Sequence, residues 1–127
     1  MENLVDAGLV KSIGVSNFNV QLMWDMLSYA RIKPAVNEVE LHPLCAQDNL
    51  LKFMKQEGIT PIAYSPLARG ADTSRCPNLL VHPTITSIAA KYQITESQLL
   101  LAWGLNRGCI VIPKTNSHDR LKENSGC

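Results

Sequence analysis

The sequence predicts an α/β fold in which parallel strands are joined by helical crossovers. Short β-rich runs alternate with longer segments of helical period, and each β-rich run ends in polar side chains. That order requires strands running one way with helices packed over them. Two architectures fit, a doubly wound open sheet and part of a (β/α)8 barrel. Ligand-competent side chains at the ends of successive strands suit a barrel, whose sites occupy that face. An open sheet uses the same strand ends at its switch point. Neither GxGxxG nor GxxxxGKS/T occurs, which removes the usual phosphate loops of doubly wound folds.

The first β-rich run is "KSIGVSNF" (Lys11–Phe18), and "QLMWDMLSYARI" follows with apolar residues at Leu22, Met23, Met26, Leu27 and Ala30. Spacings of three and four predict an amphipathic helix in which Trp24, Met23 and Met26 pack. "AVNEVELHP" is the second strand, stopped by His-Pro, and "AQDNLLKFMKQEG" is a helix with Gly58 as its C-terminal stop. "ITPIAYSPL" is the third strand. After a polar loop, Ala68–Asn78, come helical stretches over Pro83–Tyr92 and Glu96–Asn106, the second capped by Thr95. "GCIVIPK" reads as a buried fourth strand that ends in Lys114 and hands over to a helix start. A (β/α)8 barrel takes roughly 250 residues, so 127 residues with four strands make about half of one.

Composition excludes several classes of function. Apolar residues are 46% and charged residues 18%, ordinary for a globular domain. A net charge of +1 with interspersed signs argues against nucleic-acid binding, which needs a basic face. No apolar run approaches the roughly 20 residues of a membrane helix, and the start at Met1-Glu2-Asn3 predicts no signal peptide. Cys45, Cys76, Cys109 and Cys127 are scattered, as expected of reduced thiols in a cytoplasmic protein. His42 and His82 each precede a proline, and no metal-ligand spacing is present.

The strand ends carry the candidate chemistry. Lys114, Thr115 and Arg120 place two cations and a hydroxyl around a helix start, a combination that suits a dianionic phosphate or, more plainly, an ordinary charged surface. Ser16 and Asn17 can hydrogen-bond an uncharged group such as a carboxamide, or cap the following helix. Tyr64 offers a ring face for stacking, or half-buried core. Glu38 and Glu40 share one strand face. Acid–base work by the pair competes with one of them being tied to a neighbouring lysine.

Taken together, "LVDAGLVKSIGVSNF", "KPAVNEVELHP", "GITPIAYSPL" and "VIPKTNSHDRLKEN" resemble the aldo-keto reductases, in family order and at family spacing. The resemblance implies part of a (β/α)8 barrel, strands five to eight, binding NADP(H) in extended form and reducing aldehydes or ketones by hydride transfer. It implies that Ser16 and Asn17 hold the nicotinamide carboxamide, that Tyr64 stacks on the nicotinamide, and that Ser65 and Leu67 lie along the pyrophosphate. Lys114, Thr115 and Arg120 would grip the 2′-phosphate, and Glu123 and Asn124 would reach the adenine.

The chain departs from the family pattern twice. Glu38 stands where the family usually has glutamine, and a carboxylate only accepts hydrogen bonds. The family's catalytic tyrosine, lysine, aspartate and histidine come from the first four βα units. Tyr29, Tyr64 and Tyr92 stand outside the matching context. Residues 1–127 therefore read as the cofactor-binding half of a single domain, without the catalytic tetrad and without turnover of its own. The partner implied is a small-molecule carbonyl. A second class stays open, a non-catalytic half-barrel that binds nucleotide or pairs with a complementary half or a second copy through its edge strands.

Overall fold

The computed structural model describes residues 1–69 and 76–127, so the middle of the polar loop expected over Ala68–Asn78 lies outside the described residues. In chain order the elements are α1 (Glu2–Asp6), β1 (Gly14–Ser16), α2 (Val20–Tyr29), β2 (Val36–Glu40), α3 (Asp48–Glu57) and β3 (Thr60–Tyr64). A 3-10 turn (Leu79–Val81), α4 (Pro83–Tyr92), α5 (Glu96–Asn106), β4 (Ile110–Val111) and α6 (His118–Ser125) complete it. The strands follow one another in the sheet as β1-β2-β3-β4. The chain divides into two compact units, Met1–Val39 with Gln47–Ile62, and Glu40–Ala46 with Ala63–Cys127.

In the first unit β1 and β2 pair in parallel, with Gly14 opposite Val36 and Ser16 opposite Glu38. Gly14 is required there, because a Cβ would sit 3.0 Å from the Val36 carbonyl oxygen and against its side chain. The core is Met23, Val39, Leu50, Phe53, Met54 and Ile59. Met26 packs against this cluster as the helical spacing predicts, but Trp24 is 68% exposed. One residue is about 100° of helix rotation, so a neighbour of the fully buried Met23 is turned off the core face. Trp24 touches the core only at its edge, its ring tilted against Phe53 with centroids 6.1 Å apart. Gly58 ends α3 in the left-handed conformation expected of a helix stop, at φ 66°.

The second unit is organised around α5. Thr95 caps it by accepting from the Gln98 N–H at 3.2 Å, while the Gln98 side chain accepts from the Thr95 N–H at 3.1 Å. Leu100 and Leu101 are buried on this helix, and Gly104 lets β4 approach, since a Cβ there would lie 2.7 Å from Val111 Cγ1. Strand β4 is shorter and more open than the sequence suggests. Ile110 is 48% exposed and Ile112 42%. Pro113 has no N–H to extend the ladder, and β4 is the terminal strand in the sheet order.

All four cysteines are free thiols. Burial pushes the Cys109 thiol above its ordinary range, only partly offset by the nearby Arg107. Burial also raises Cys45, with the Glu40 carboxylate adding to the effect. A raised thiol pKa means less thiolate at a given pH and slower alkylation. Peptide mass mapping after brief alkylation at mildly alkaline pH is expected to show exposed Cys127 modified first and Cys109 last. Denaturant should abolish the lag, and early modification of Cys109 in the native protein would contradict its burial.

Candidate functional site

The second unit contains a cavity of about 500 Å³, within the range of small-molecule and cofactor sites. Its walls come from the loop after β3 (Ser65, Pro66, Leu67, Arg69) and from the segment after β4 (Pro113, Lys114, Thr115, Asn116). Arg120 and Asn124 enter from α6, and Ser97 from α5. Three lining residues are cations, and none of the described lining residues is a carboxylate. Such a concave, one-signed surface attracts anions.

Local chain geometry sets each wall. After β3 the backbone turns back on itself, with the Ala68 N–H donating to the Ser65 carbonyl at 2.9 Å. Ser65, Ala68 and Arg69 all adopt positive φ, at 49°, 49° and 65°. Residues bearing a Cβ hold such conformations only where their surroundings impose them. Ala68 is fully buried, and its carbonyl accepts the Cys76 thiol at 3.2 Å. On the opposite strand end, the Thr115 hydroxyl accepts from the Ser117 N–H at 3.1 Å, and the Ser117 hydroxyl caps α6 at the Arg120 N–H. This relay fixes the route from Lys114 into α6, so Arg120 lies one turn inside the helix start.

Glu123 hydrogen-bonds α6 to the start of α5. The Thr95 hydroxyl donates to Glu123 Oε1 at 2.6 Å, and Gln98 Nε2 donates to the Glu123 carbonyl at 3.0 Å. Glu123 thus docks the helix through one carboxylate oxygen and its backbone carbonyl, and it is not among the residues lining the cavity, whereas Asn124 beside it is. Sequence reasoning missed Arg69 and Ser97 as lining residues, since nothing local marks a loop residue and a helix residue that meet only in the tertiary fold, and it passed over Asn116 beside Thr115.

In the first unit Ser16, Asn17 and Glu38 meet at the ends of paired strands. Ser16 Oγ donates to the Glu38 carbonyl at 3.0 Å, and the Asn17 N–H donates to the same oxygen at 2.8 Å. Asn17 Nδ2 reaches Ser16 Oγ at 3.3 Å, and Asn17 itself is left-handed at φ 58°. Neither residue caps α2. That role falls to Asn19, whose side chain accepts from the Leu22 N–H at 2.9 Å. The turn is held from beneath by Asn37, fully buried, which donates to the Phe18 carbonyl at 2.8 Å and accepts from its N–H at 3.4 Å. An asparagine inside a strand was the available signal for this support.

Glu40 sits between a histidine and an arginine. Its carboxylate lies 3.5 Å from His42 Nε2 and 3.8 Å from Arg69 Nε, in the second unit. Tyr64 ends β3, is half-buried, and accepts the Leu41 N–H on its carbonyl at 3.3 Å. Among the described residues no cluster of His, Cys, Asp and Glu is arranged to hold a metal.

The model of the "Aldo/keto reductase family" matches residues 1–127. The chain belongs to the aldo/keto reductase family. It is 49% identical over 124 residues to an aldose reductase B of Dictyostelium discoideum, covering 98% of this chain and 38% of that protein. It is 46% identical over 131 residues to a probable NAD(P)H-dependent D-xylose reductase of Emericella nidulans, covering 98% of this chain and 41% of that protein. The solved aldose reductase of Schistosoma japonicum superposes with a TM-score of 0.88 at 40% identity, over 98% of this chain and 38% of the other. The chain spans about two fifths of the length of these reductases. With this family the fold is settled as α/β, the parallel sheet and alternating helices of part of a (β/α)8 barrel. Among the described residues no helix is long and apolar enough to cross a membrane.

Proposed function

We propose that residues 1–127 are the cofactor-binding half of an NADP(H)-dependent reductase domain that converts aldehydes or ketones to alcohols. The observation that carries this is the convergence of Lys114, Thr115 and Arg120 on one cavity, at the place where a dianionic phosphate would be held by cations and a helix start. The names of the reductases similar to this chain support the cofactor class. When bound, the cofactor supplies a hydride from nicotinamide C4 to a carbonyl carbon.

The chain's own residues bind and orient. Lys114, Thr115 and Arg120 grip the 2′-phosphate, Asn124 faces the adenine, and Glu123 acts by docking the helix that carries Asn124. Ser65 and Leu67 follow the diphosphate and Tyr64 stacks on the nicotinamide. Ser16 and Asn17 take the carboxamide, and Glu38 accepts from its NH2 group but cannot donate to its carbonyl. The proton donor of the reaction is not among residues 1–127. Four free thiols support a cytoplasmic setting.

Mixed with NADPH and a simple aldehyde, the chain is expected to bind the nucleotide, seen as a fluorescence change, without consuming it. Steady consumption would overturn the placement of the proton donor elsewhere, and failure to bind would overturn the cofactor reading. The exposure of Ile110 and Ile112 on the terminal strand favours a second reading. In it the half-barrel pairs through its edges with a complementary half or a second copy.

A further inference from the structure

Helix α6 carries Arg120 and Asn124 into the cavity, yet it buries no residue of its own. It is 8 residues long, and a helix that short is marginal unless its neighbours hold it. Its near end is capped by Ser117. Two bonds to its far end come from the first turn of α5, where the capping-box residues divide their polar groups between two helices. Thr95 Oγ1 accepts from the Gln98 N–H and donates to Glu123 Oε1 at 2.6 Å. Gln98 Oε1 accepts from the Thr95 N–H, and Gln98 Nε2 donates to the Glu123 carbonyl at 3.0 Å. The acceptors start α5, and the donors reach α6. A hydroxyl has one proton to give, and a contact this short to a carboxylate is in the range of the stronger, charge-assisted bonds. Gly126 keeps the approach open, since a Cβ there would lie 3.2 Å from Gln98 Nε2.

We propose that Thr95 and Gln98 are positioning residues of the nucleotide site, latching α6 so that Arg120 and Asn124 stand where the adenosine 2′-phosphate end of the ligand binds. This rests on the cofactor reading above. It gives the cap of α5 a second role, in which residues outside the cavity set affinity for the phosphorylated end of the dinucleotide.

Two substitutions cut the latch and spare the cap. Gln98→Glu keeps the acceptor of the capping box and removes the donor to the Glu123 carbonyl. Thr95→Asp keeps the cap acceptor and sets a like charge against the Glu123 carboxylate. In each variant NADPH and adenosine 2′-monophosphate should bind about 3–10-fold more weakly. NADH, which has no 2′-phosphate for Arg120 to hold, should lose less. The decisive readout is the same substitution in an Arg120→Leu/Asn124→Ala background. There the loss should vanish, because a residue acting through α6 has nothing left to position. A loss that persists in that background reports the added charge or a damaged fold and overturns the proposal. Unchanged NADPH binding in either variant overturns the role of the residue replaced. A wild-type chain that binds none of the three probes overturns the cofactor reading and this inference with it.

Discussion

Replacing Lys114 by methionine is expected to weaken NADPH binding about 10–100-fold and leave NADH binding nearly unchanged. A hydrogen bond to a charged group contributes roughly 1.5–3 kcal/mol, and each 1.4 kcal/mol is about a factor of ten. Methionine keeps the length and apolar stem of lysine and removes only the charge. Arg120→Leu should act in the same direction, because Arg120 lines the same cavity from α6. The double variant should lose less than the product of the two factors, since both groups serve one phosphate. Competitive titration with both nucleotides in one buffer measures this. An equal loss for NADPH and NADH would place Lys114 elsewhere than at the 2′-phosphate.

The second large effect concerns the helix on which that cavity is built. Leu101→Ala is expected to destabilise the protein by about 2–5 kcal/mol, the range for truncating a buried leucine. Leu101 is fully buried on α5, and α5 contacts α4, β4 and α6. A cavity at this position is poorly placed to collapse, because Gly104, one turn on, already lets Val111 approach closely. The urea midpoint should fall with the slope unchanged. A loss under about 1 kcal/mol would mean that the neighbourhood relaxes around the gap.

How much was legible in the sequence depended on how local the signal was. The bounds of α4 and α5, the Thr95 cap and the Gly58 stop follow from periodicity and from residues within one turn of the helix ends. Strand lengths did not follow. The run Lys11–Phe18 yields a strand of only Gly14–Ser16, which ends where Asn17 turns left-handed after its N–H makes a last bond to Glu38. The exposure of Ile110 and Ile112 was hidden for a related reason, since an apolar run does not say whether its strand lies at an edge.

In the candidate site the Lys114–Arg120 segment was readable because its parts are neighbours in sequence. The tie from Glu40 to Arg69 was not, as it joins the last residue of β2 to the loop after β3. Glu123 shows the limit most clearly. One oxygen of the carboxylate expected to reach the adenine accepts from Thr95, 28 positions earlier in the chain, a pairing that no local pattern announces.

The central claim is that this chain carries a site for a 2′-phosphorylated nicotinamide dinucleotide. Its most direct test is the ratio of the wild-type affinities for NADPH and NADH, measured by fluorescence titration at two salt concentrations. The account predicts tighter binding of NADPH by at least about tenfold, with the gap narrowing as salt screens the exposed cations. Equal affinities, or no binding of either nucleotide, would contradict it.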